Sequence, residues 1–539
     1  MHSRETKTAL TSAPFLGGRD PATAVAASGG DDTQGRRRGV EPSSSRPPRV
    51  EVDFFERSWR WHRRSRSRMS ISRRPRPIAR IVAIFGKKFP YRGFVRYVLL
   101  MLLDFTVSNF QCFRDEAQLS FVRPSLKTQV PKPPQTWADV TFRIAAVFGA
   151  NASGKSTLLS AASMLSGAIS KPGLLLYHPH ATAAVERSPT YDVNFVADGV
   201  RYHYEVEASD WGIHSESLHA FPKGTARHLF TRTQADAEAP IEVKVGPTLK
   251  GPTAEVKRLL TPTDLMLAVA ARYRHAALRP VAQGLRAGST VVKVLREESD
   301  QRLWLQWVMA RMVEDPSKWS AIIRALAGTA DLGITGVEAR EEEIPPELLR
   351  RVRAMLAAGA GDDELREIPK DAVPSVQRSL VFTHTDGDGS SFELGLGAQS
   401  AGTITWLATA APAIETLARG SLLILDELDA SLHPALVAAI VTMFKDPDLN
   451  RTGAQILFST HDATLLGNSP ARLLEPGEVW FCEKDGGSSE VFPLSDFDSR
   501  PGNNEQKRYL AGRFGALPDV DLFRLLSRDV LGAAVPQKG

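Results

Sequence analysis

The sequence predicts an α/β fold: a mixed sheet with flanking helices, an antiparallel β-lobe and an inserted short helical lobe. Three patterns indicate it. Short apolar runs such as residues 144–148 lead into helices, residues 189–221 alternate polar and apolar positions across "ADG" and "SDWG" turns, and residues 254–325 and 345–358 have a helical period. With 539 residues and 42% hydrophobic content, the chain has room for two or three domains.

The first 100 residues differ in composition from the rest of the chain. They hold 22 Lys and Arg against 8 Asp and Glu, a charge of +14, so the remaining residues carry −8 of the net +6. We expect this segment, rich in Arg, Ser, Pro and Gly, to be disordered. It fits a basic arm that neutralises nucleic-acid phosphates or an Arg-rich targeting peptide. The interpretation we favour is an extension upstream of a working protein that starts at Met101.

Composition also excludes several classes of protein. No stretch reaches the roughly 18 consecutive apolar residues that span a bilayer, and the start of the chain lacks the apolar centre of a signal peptide. Cys112 and Cys482 are the only cysteines, and their wide separation gives neither a disulfide framework nor a metal cluster. We expect a cytoplasmic protein without a membrane partner.

After Met101, alternating apolar residues predict two strands and the start of a sheet. The next feature is a phosphate loop between a strand and an amphipathic helix. Its pattern is G-x-x-x-x-G-K-[ST], which sets inward-pointing N–H groups around phosphate oxygens at a helix N-terminus. Lys155 is predicted to reach the β- and γ-phosphates, and the Ser156 hydroxyl to ligate Mg²⁺. The loop comprises Gly149, Ala150, Asn151, Ala152, Ser153, Gly154, Lys155, Ser156 and Thr157.

Acidic residues follow a second apolar strand, residues 422–425. In phosphate-loop enzymes a buried strand ends in a carboxylate that holds Mg²⁺, which assigns that role to Asp426. Glu427 is then placed to act as the general base on the attacking water. A further strand, residues 455–460, ends at His461, which is predicted to sense the γ-phosphate. The structural alternatives are an acidic turn and a surface histidine.

The spacing of these motifs narrows the class of ATPase. Lys155 and Asp426 are 271 positions apart in the sequence, more than a small GTPase needs, so a large insertion separates them. Just before the acidic strand, a hairpin over residues 377–397 leads into Ser400, Ala401, Gly402 and Thr403. This segment, the signature loop, resembles the ABC-class loop that presents a hydroxyl and N–H groups to the γ-phosphate bound by a second protomer. The alternative is a simple helix cap.

Together these motifs resemble those of ATP-binding proteins in the RecF/SMC-like branch of the ABC-class AAA ATPases, in the abortive-infection and overcoming-lysogenisation-like group. The resemblance covers about residues 101–520, through "FGANASGKSTLL", "AQSAGT", "LILDELDASLHP", "LFSTHDATLL" and "RYLAGRFGALP". His433 stands where transporters have an aspartate, and Ala152 where SMC-type loops commonly have glycine. Both departures fit the defence-like group, and no Q-loop glutamine is assigned.

The predicted organisation has five segments. The ATPase head is split between residues 101–250 and 376–520, with a helical insertion at 251–375 and a tail at 521–539. No sustained heptad repeat is present, which argues against an SMC-like rod. The tryptophans are predicted to pack rather than to stack on bases. Predicted core positions of the insertion are Leu259, Leu265, Trp304, Trp307 and Met312.

The resemblance implies an ATP hydrolase whose two heads sandwich two ATP molecules with Mg²⁺, each ATP bound by one phosphate loop and capped by the partner's signature loop. Such a switch would control a partner effector, encoded nearby, in bacterial anti-phage defence. The alternative is a RecF-like repair ATPase that acts directly on DNA. A transporter subunit is disfavoured by the insertion, and a built-in nuclease by the 78 residues that follow His461.

Overall fold

The computed structural model describes residues 100–171, 173–182, 187–287, 289–292, 298–359, 376–469, 471–498 and 502–518. The predicted N-terminal extension, apart from Leu100, and the predicted tail lie outside the described residues. Within the described part of the chain, no helix combines the length and apolarity needed to cross a membrane.

The described part of the chain contains sixteen strands and ten α-helices. The strands are β1 (Leu100–Ser108), β2 (Ala117–Ser120), β3 (Ile144–Phe148), β4 (Thr190–Ala197), β5 (Val200–Ser209), β6 (Gly212–Phe221), β7 (Arg227–Thr233), β8 (Glu242–Val245), β9 (Ser289–Val292), β10 (Ile334–Glu343), β11 (Val376–Thr385), β12 (Ser391–Gly395), β13 (Leu422–Leu425), β14 (Gln455–Thr460), β15 (Val479–Asp485) and β16 (Ser488–Pro493). The helices are α1 (Lys155–Ser170), α2 (Thr253–Leu259), α3 (Met266–Arg272), α4 (Leu278–Ala287), α5 (Glu298–Glu314), α6 (Pro316–Ala330), α7 (Pro346–Gly359), α8 (Ala401–Arg419), α9 (Pro434–Lys445) and α10 (Glu505–Leu510).

A six-stranded mixed sheet forms the centre of the fold, in the order β16-β15-β3-β14-β13-β9. Its pairs are parallel except β15 with β16. Every residue of β3, β13 and β14 is buried, which explains why their sequences are continuous apolar runs rather than alternating ones. Because parallel strands end at the same edge of a sheet, the loops after β3, β13 and β14 are neighbours.

The central sheet separates two hydrophobic cores. Ile144, Ala146 and Phe148 contribute to one core, which also contains buried residues of α5, α6, α8 and α9. Ala145 and Val147 contribute to the other, with α1, α3, α4 and a seven-stranded antiparallel sheet. That second sheet, in the order β2-β1-β4-β5-β6-β7-β8, is the predicted β-lobe. The predicted mixed sheet with flanking helices and an antiparallel lobe is therefore confirmed.

The predicted helical insertion is not uniformly helical. β9 falls inside it and pairs in parallel with β13, so the insertion contributes an edge strand to the central sheet. β10 also falls inside it and pairs with β11. The helices α3 and α4 belong to the core shared with the β-lobe, where the buried Glu216 carboxylate accepts the N–H groups of Met266 at 2.6 Å and Leu267 at 3.0 Å.

The predicted core positions of the insertion have mixed outcomes. Leu265 and Met312 are buried, and Trp304 and Trp307 pack against the core with their ring centroids 5.8 Å apart. Trp307 also contacts Trp319 edge to face, which confirms a packing role. The prediction for Leu259 was wrong: this residue is 43% exposed, because the short helix α2 buries only Val256.

Candidate functional site

The phosphate loop connects β3 to α1 through backbone conformations that favour glycine. A Cβ atom at Gly149 would lie 2.2 Å from the carbonyl oxygen of Cys482, so no larger residue fits. Gly154 has φ 112°, and a Cβ there would lie 2.9 Å from the Cys112 sulfur. Ala152 also has a positive φ of 62°, a region that glycine occupies more easily. The loop is thus held from two sides by the segments that contain the two cysteines.

The N-terminus of α1 opens into this loop. Its N-cap is Gly154, which offers no side chain to the free N–H groups of the first turn, and the first turn has no acidic residue. Helix N-termini carry a partial positive charge that favours anions. In addition, the Ser153 hydroxyl is buried without a hydrogen-bond partner among the described residues. These groups are suited to phosphate oxygens.

Lys155 is buried at the start of α1 and supplies a positive charge to the loop. Its Nζ donates to the carbonyl oxygens of Gly149 and Ala150, both at 2.8 Å. Burial of the ammonium group lowers the pKa of Lys155, whereas Cys482 and then the carboxylates of Asp426, Glu427 and Asp429 act to raise it. The acids after β13 therefore lie within electrostatic reach of the phosphate-loop lysine.

Ser459 in β14 organises the acids that follow β13. Its hydroxyl donates to the Asp426 carboxylate and accepts the N–H of Glu427 at 2.8 Å. The neighbouring Leu428 N–H donates to the Ser459 carbonyl at 3.0 Å. Glu427 adopts φ 51°, which turns the chain sharply at the end of the strand. One serine thus fixes the orientation of the acidic turn.

Asp429 anchors the start of the segment after β14. Its carboxylate accepts the N–H of His461, with N···O distances of 3.2 and 3.3 Å. The His461 Nε2 atom lies 3.9 Å from Oε1 of Glu427. The acidic turn and the histidine are therefore held as one unit.

These segments meet around one cavity. Apart from Cys112, every lining residue was predicted as a site residue. The lining comprises Cys112, Asn151, Ala152, Ser153, Gly154, Lys155, Ser156, Thr157, Glu427 and His461. Gly149 and Ala150 contribute through their carbonyl contacts with Lys155. Asp426 lies beside the cavity, held by Ser459, rather than in its lining.

The signature loop is not part of this cavity. Ser400 is exposed and is the N-cap of α8, where its Oγ accepts the N–H of Thr403 at 3.1 Å. Gly402 lies near the loop after Asp429, since a Cβ there would be 3.5 Å from the carbonyl oxygen of Ser431. Just before the loop, the Gln399 amide lies 3.3 Å from the His384 ring, which stacks on Phe392.

Three contributing residues were missed by the sequence analysis. Cys112, Asp429 and Ser459 become visible only when the loops are brought together. A partial signal existed for two of them: Asp429 follows Asp426 at a spacing of three, and Ser459 lies two positions before His461. Cys112 had no signal, because its role depends on the turn between β1 and β2 reaching the phosphate loop.

The cavity residues fit a nucleotide with Mg²⁺. Mg²⁺ usually takes one or two protein ligands and completes its shell with phosphate and water. Ser156, exposed in the cavity, and Asp426 are the residues that would hold it.

The fold and the site define a phosphate-loop protein of the ABC-class AAA type. Residues 144–259 and 295–467, more than half of the chain, match the family described as "AAA domain, putative AbiEii toxin, Type IV TA system". The chain belongs to this family, which confirms the predicted abortive-infection group. No curated protein matches the chain.

Solved structures show weaker likenesses. The SMC head domain from Thermotoga maritima is 11% identical with a TM-score of 0.33, covering 73% of this chain and 98% of that chain. The recombination mediator protein RecF with ATP is 13% identical with a TM-score of 0.28, covering 69% of this chain and 94% of that chain.

Proposed function

We propose that this protein is an ATP-binding and ATP-hydrolysing switch that dimerises on ATP. The observation that carries the proposal is the meeting of Lys155, Glu427 and His461 around one cavity, although 306 sequence positions separate the first from the last. The site joins a buried lysine, a helix N-terminus and a pair of acids at one edge of a parallel sheet. These groups are suited to a bound nucleoside triphosphate and its Mg²⁺.

The phosphate loop is the proposed binding site for the triphosphate. The N–H groups of the first turn of α1 and the Lys155 ammonium would contact phosphate oxygens, with the Ser153 hydroxyl as a further donor. Ser156 and Asp426 would hold Mg²⁺, which supplies charge neutralisation to the phosphates when bound. The chain's own contribution is to place these donors in advance, because the loop is locked between the segments of Cys112 and Cys482.

Glu427 is the proposed general base, and its surroundings support that role. It lines the cavity, and its backbone is fixed by Ser459. His461 lies beside it, positioned by Asp429, where it can contact a γ-phosphate. Ser459 and Asp429 are positioning residues in this proposal, since they act through Asp426, Glu427 and His461.

The signature loop is proposed to complete the site of a second copy. Ser400 and Gly402 lie outside the cavity of their own chain, and Ser400 is exposed at the N-terminus of the long helix α8. An exposed helix N-terminus with a hydroxyl is suited to a phosphate brought to it by a partner. ATP would then add affinity for the closed dimer, which makes the nucleotide cycle a conformational switch.

We further propose that the switch controls a partner effector, encoded nearby, in bacterial anti-phage defence. The family description, which names a putative AbiEii toxin and a type IV toxin–antitoxin system, supports a system of more than one component but names no effector. The alternative remains a RecF-like ATPase acting directly on DNA. A partner that co-purifies with Glu427→Gln but not with Lys155→Ala supports effector control, whereas stimulation by gapped DNA without any such partner supports the alternative.

The nucleotide assignment is tested with Lys155→Ala and a matched control, Lys171→Ala, at the other end of the same helix. The full chain should bind and hydrolyse ATP with Mg²⁺. Lys155→Ala should lose both properties, and Lys171→Ala should keep both because its side chain is exposed and distant from the cavity. ATP binding by Lys155→Ala equal to that of Lys171→Ala would refute the assignment.

A further inference from the structure

One segment of the insertion is rich in arginine and contains no acidic residue. From Leu265 to Arg286 the sequence contains four arginines and no Asp or Glu, although the chain after residue 100 is net negative. All four arginines are exposed, and three of them together with the exposed Lys250 are called here the basic corner: Lys250, Arg272, Arg274 and Arg279. They surround the turn between α3 and α4.

The buried His275 brings the basic corner together. A Cβ at Gly251, next to Lys250, would lie 2.6 Å from the His275 ring, and Thr253 Oγ1 lies 3.1 Å from its Nε2. Arg274 precedes this histidine with φ 57°, and the Arg279 N–H donates to the His275 carbonyl at 2.9 Å. Segments that are more than 20 positions apart in sequence are therefore fixed at one place.

Several arginines elsewhere in the described chain form close ion pairs, which the basic corner does not. Arg123, Arg340, Arg378 and Arg508 each lie within 3 Å of a carboxylate oxygen. Among the described residues, no carboxylate forms an ion pair with Lys250 or with the three arginines of the corner. Exposed guanidinium groups held together without counter-charges favour an external polyanion.

An exposed aromatic ring lies in the middle of the basic corner. Tyr273 is 47% exposed, and the Arg272 guanidinium lies 5.9 Å from its ring centroid. The Tyr273 ring therefore offers a flat apolar face to solvent beside cationic groups. Rings beside cationic groups stack on the bases of single strands while the cations contact phosphates.

We propose that the basic corner binds a single-stranded nucleic acid, with Arg272, Arg274, Arg279 and Lys250 on the phosphates and a base stacked on Tyr273. The surface is linked to the phosphate-loop helix, because the Ser166 hydroxyl of α1 donates to the Leu285 carbonyl of α4 at 2.9 Å. Binding itself needs no nucleotide, so the proposal stands or falls separately from the ATPase assignment.

The test uses the full chain without ATP and a labelled oligothymidylate, titrated at several salt concentrations. Replacing Arg272, Arg274 and Arg279 with Ala should weaken binding and reduce the salt slope by about two, at roughly 0.7 per single-strand phosphate contact. The matched control replaces Arg324, Arg350 and Arg351, exposed arginines of α6 and α7, with Ala. It makes the same change in net charge and leaves the basic N-terminal segment in place, so its slope should stay at the wild-type value.

A strand containing 2-aminopurine reports stacking directly. Its fluorescence should be quenched on binding, Tyr273→Phe should keep the quenching, and Tyr273→Ala should lose it with about a tenfold loss of affinity. Equal salt slopes for the two triple variants, or quenching unchanged in Tyr273→Ala, would overturn the proposal. So would displacement of the strand by polyglutamate at equal charge concentration, which would identify the corner as a site for acidic protein.

Discussion

The phosphate loop and the signature loop end in helix N-termini of similar kind, yet their surroundings are opposite. The phosphate loop lies in a cavity completed by Glu427 and His461 from two other segments of the same chain. The signature loop is exposed, and the Ser400 hydroxyl forms hydrogen bonds with Thr403 of the helix that it caps. In the proposed function, the first loop binds phosphate within its own chain, and the second is available to a phosphate held by another copy.

The largest expected effect is a loss of ATP turnover in the cavity at the phosphate loop. Glu427→Gln should reduce ATP turnover by about 10²–10⁴-fold, the usual contribution of a general base, while ATP still binds. Steady-state hydrolysis and equilibrium nucleotide binding measure the two properties separately. The control is Glu347→Gln, an exposed residue of α7, which should behave as wild type. Turnover that is unchanged in Glu427→Gln would remove this residue from the proposed role.

A smaller effect is expected from the residue that orients the acidic turn. Ser459→Ala removes the hydroxyl shared by Asp426 and the Glu427 N–H, and should cost about 1–3 kcal/mol of stability because buried polar groups lose their partner. We expect kcat to fall by about tenfold, since the base is less well positioned. Denaturant unfolding and single-turnover kinetics check the two effects.

Ser170→Ala serves as the control for Ser459→Ala. Ser170 is an exposed residue at the end of α1, and its hydroxyl bonds only within the helix, to the Ser166 carbonyl. Its removal should change neither stability nor turnover. A Ser459→Ala protein as active as Ser170→Ala would show that the acidic turn is oriented without this hydroxyl.

The smallest expected effect is a change in the rate at which a thiol reagent labels Cys112. Cys112 lines the cavity, whereas Cys482 is fully buried and its burial raises the pKa of the thiol to about 12. A thiol reagent should therefore label one cysteine per folded chain, at neutral pH and up to about pH 9, because Cys482 stays protonated. ATP should slow the labelling, and Cys112→Ser should abolish it. Labelling of two thiols in the native protein would contradict this description of the loop.

Local motifs were predictable from the sequence because the residues of each motif are consecutive in the chain. The phosphate loop, the acids after residues 422–425 and the hairpin before Ser400 all occur where the sequence places them. β9 was missed because four residues, "STVV", inside a region of helical period have little signal of their own, and only pairing with β13 makes them a strand. Leu259 fits a helical period, but a two-turn helix has too little surface to bury it.

Residues whose role depends on tertiary contacts could not be found in this way. Ser459 and Asp429 act across neighbouring parallel strands, and Cys112 acts across a turn more than 40 positions before Lys155. The segments that contain Lys250 and Arg279 are likewise joined through His275. Such contacts depend on how the ends of strands and helices are arranged in the tertiary structure. A pattern of residues along the sequence does not contain that information.

The central claim, that each ATP is held by the phosphate loop of one copy and the signature loop of another, is tested most directly by mixing two inactive variants. Ser400→Arg should block closure without affecting ATP bound by Lys155, and Lys155→Ala should lose ATP; neither should hydrolyse it alone. A mixed dimer has one site with both defects and one with neither, so random pairing of equal amounts should restore about a quarter of wild-type turnover. Wild-type turnover should also rise with protein concentration as dimers form. Full activity of Ser400→Arg alone, at a dilution where the chain is monomeric, would contradict the claim.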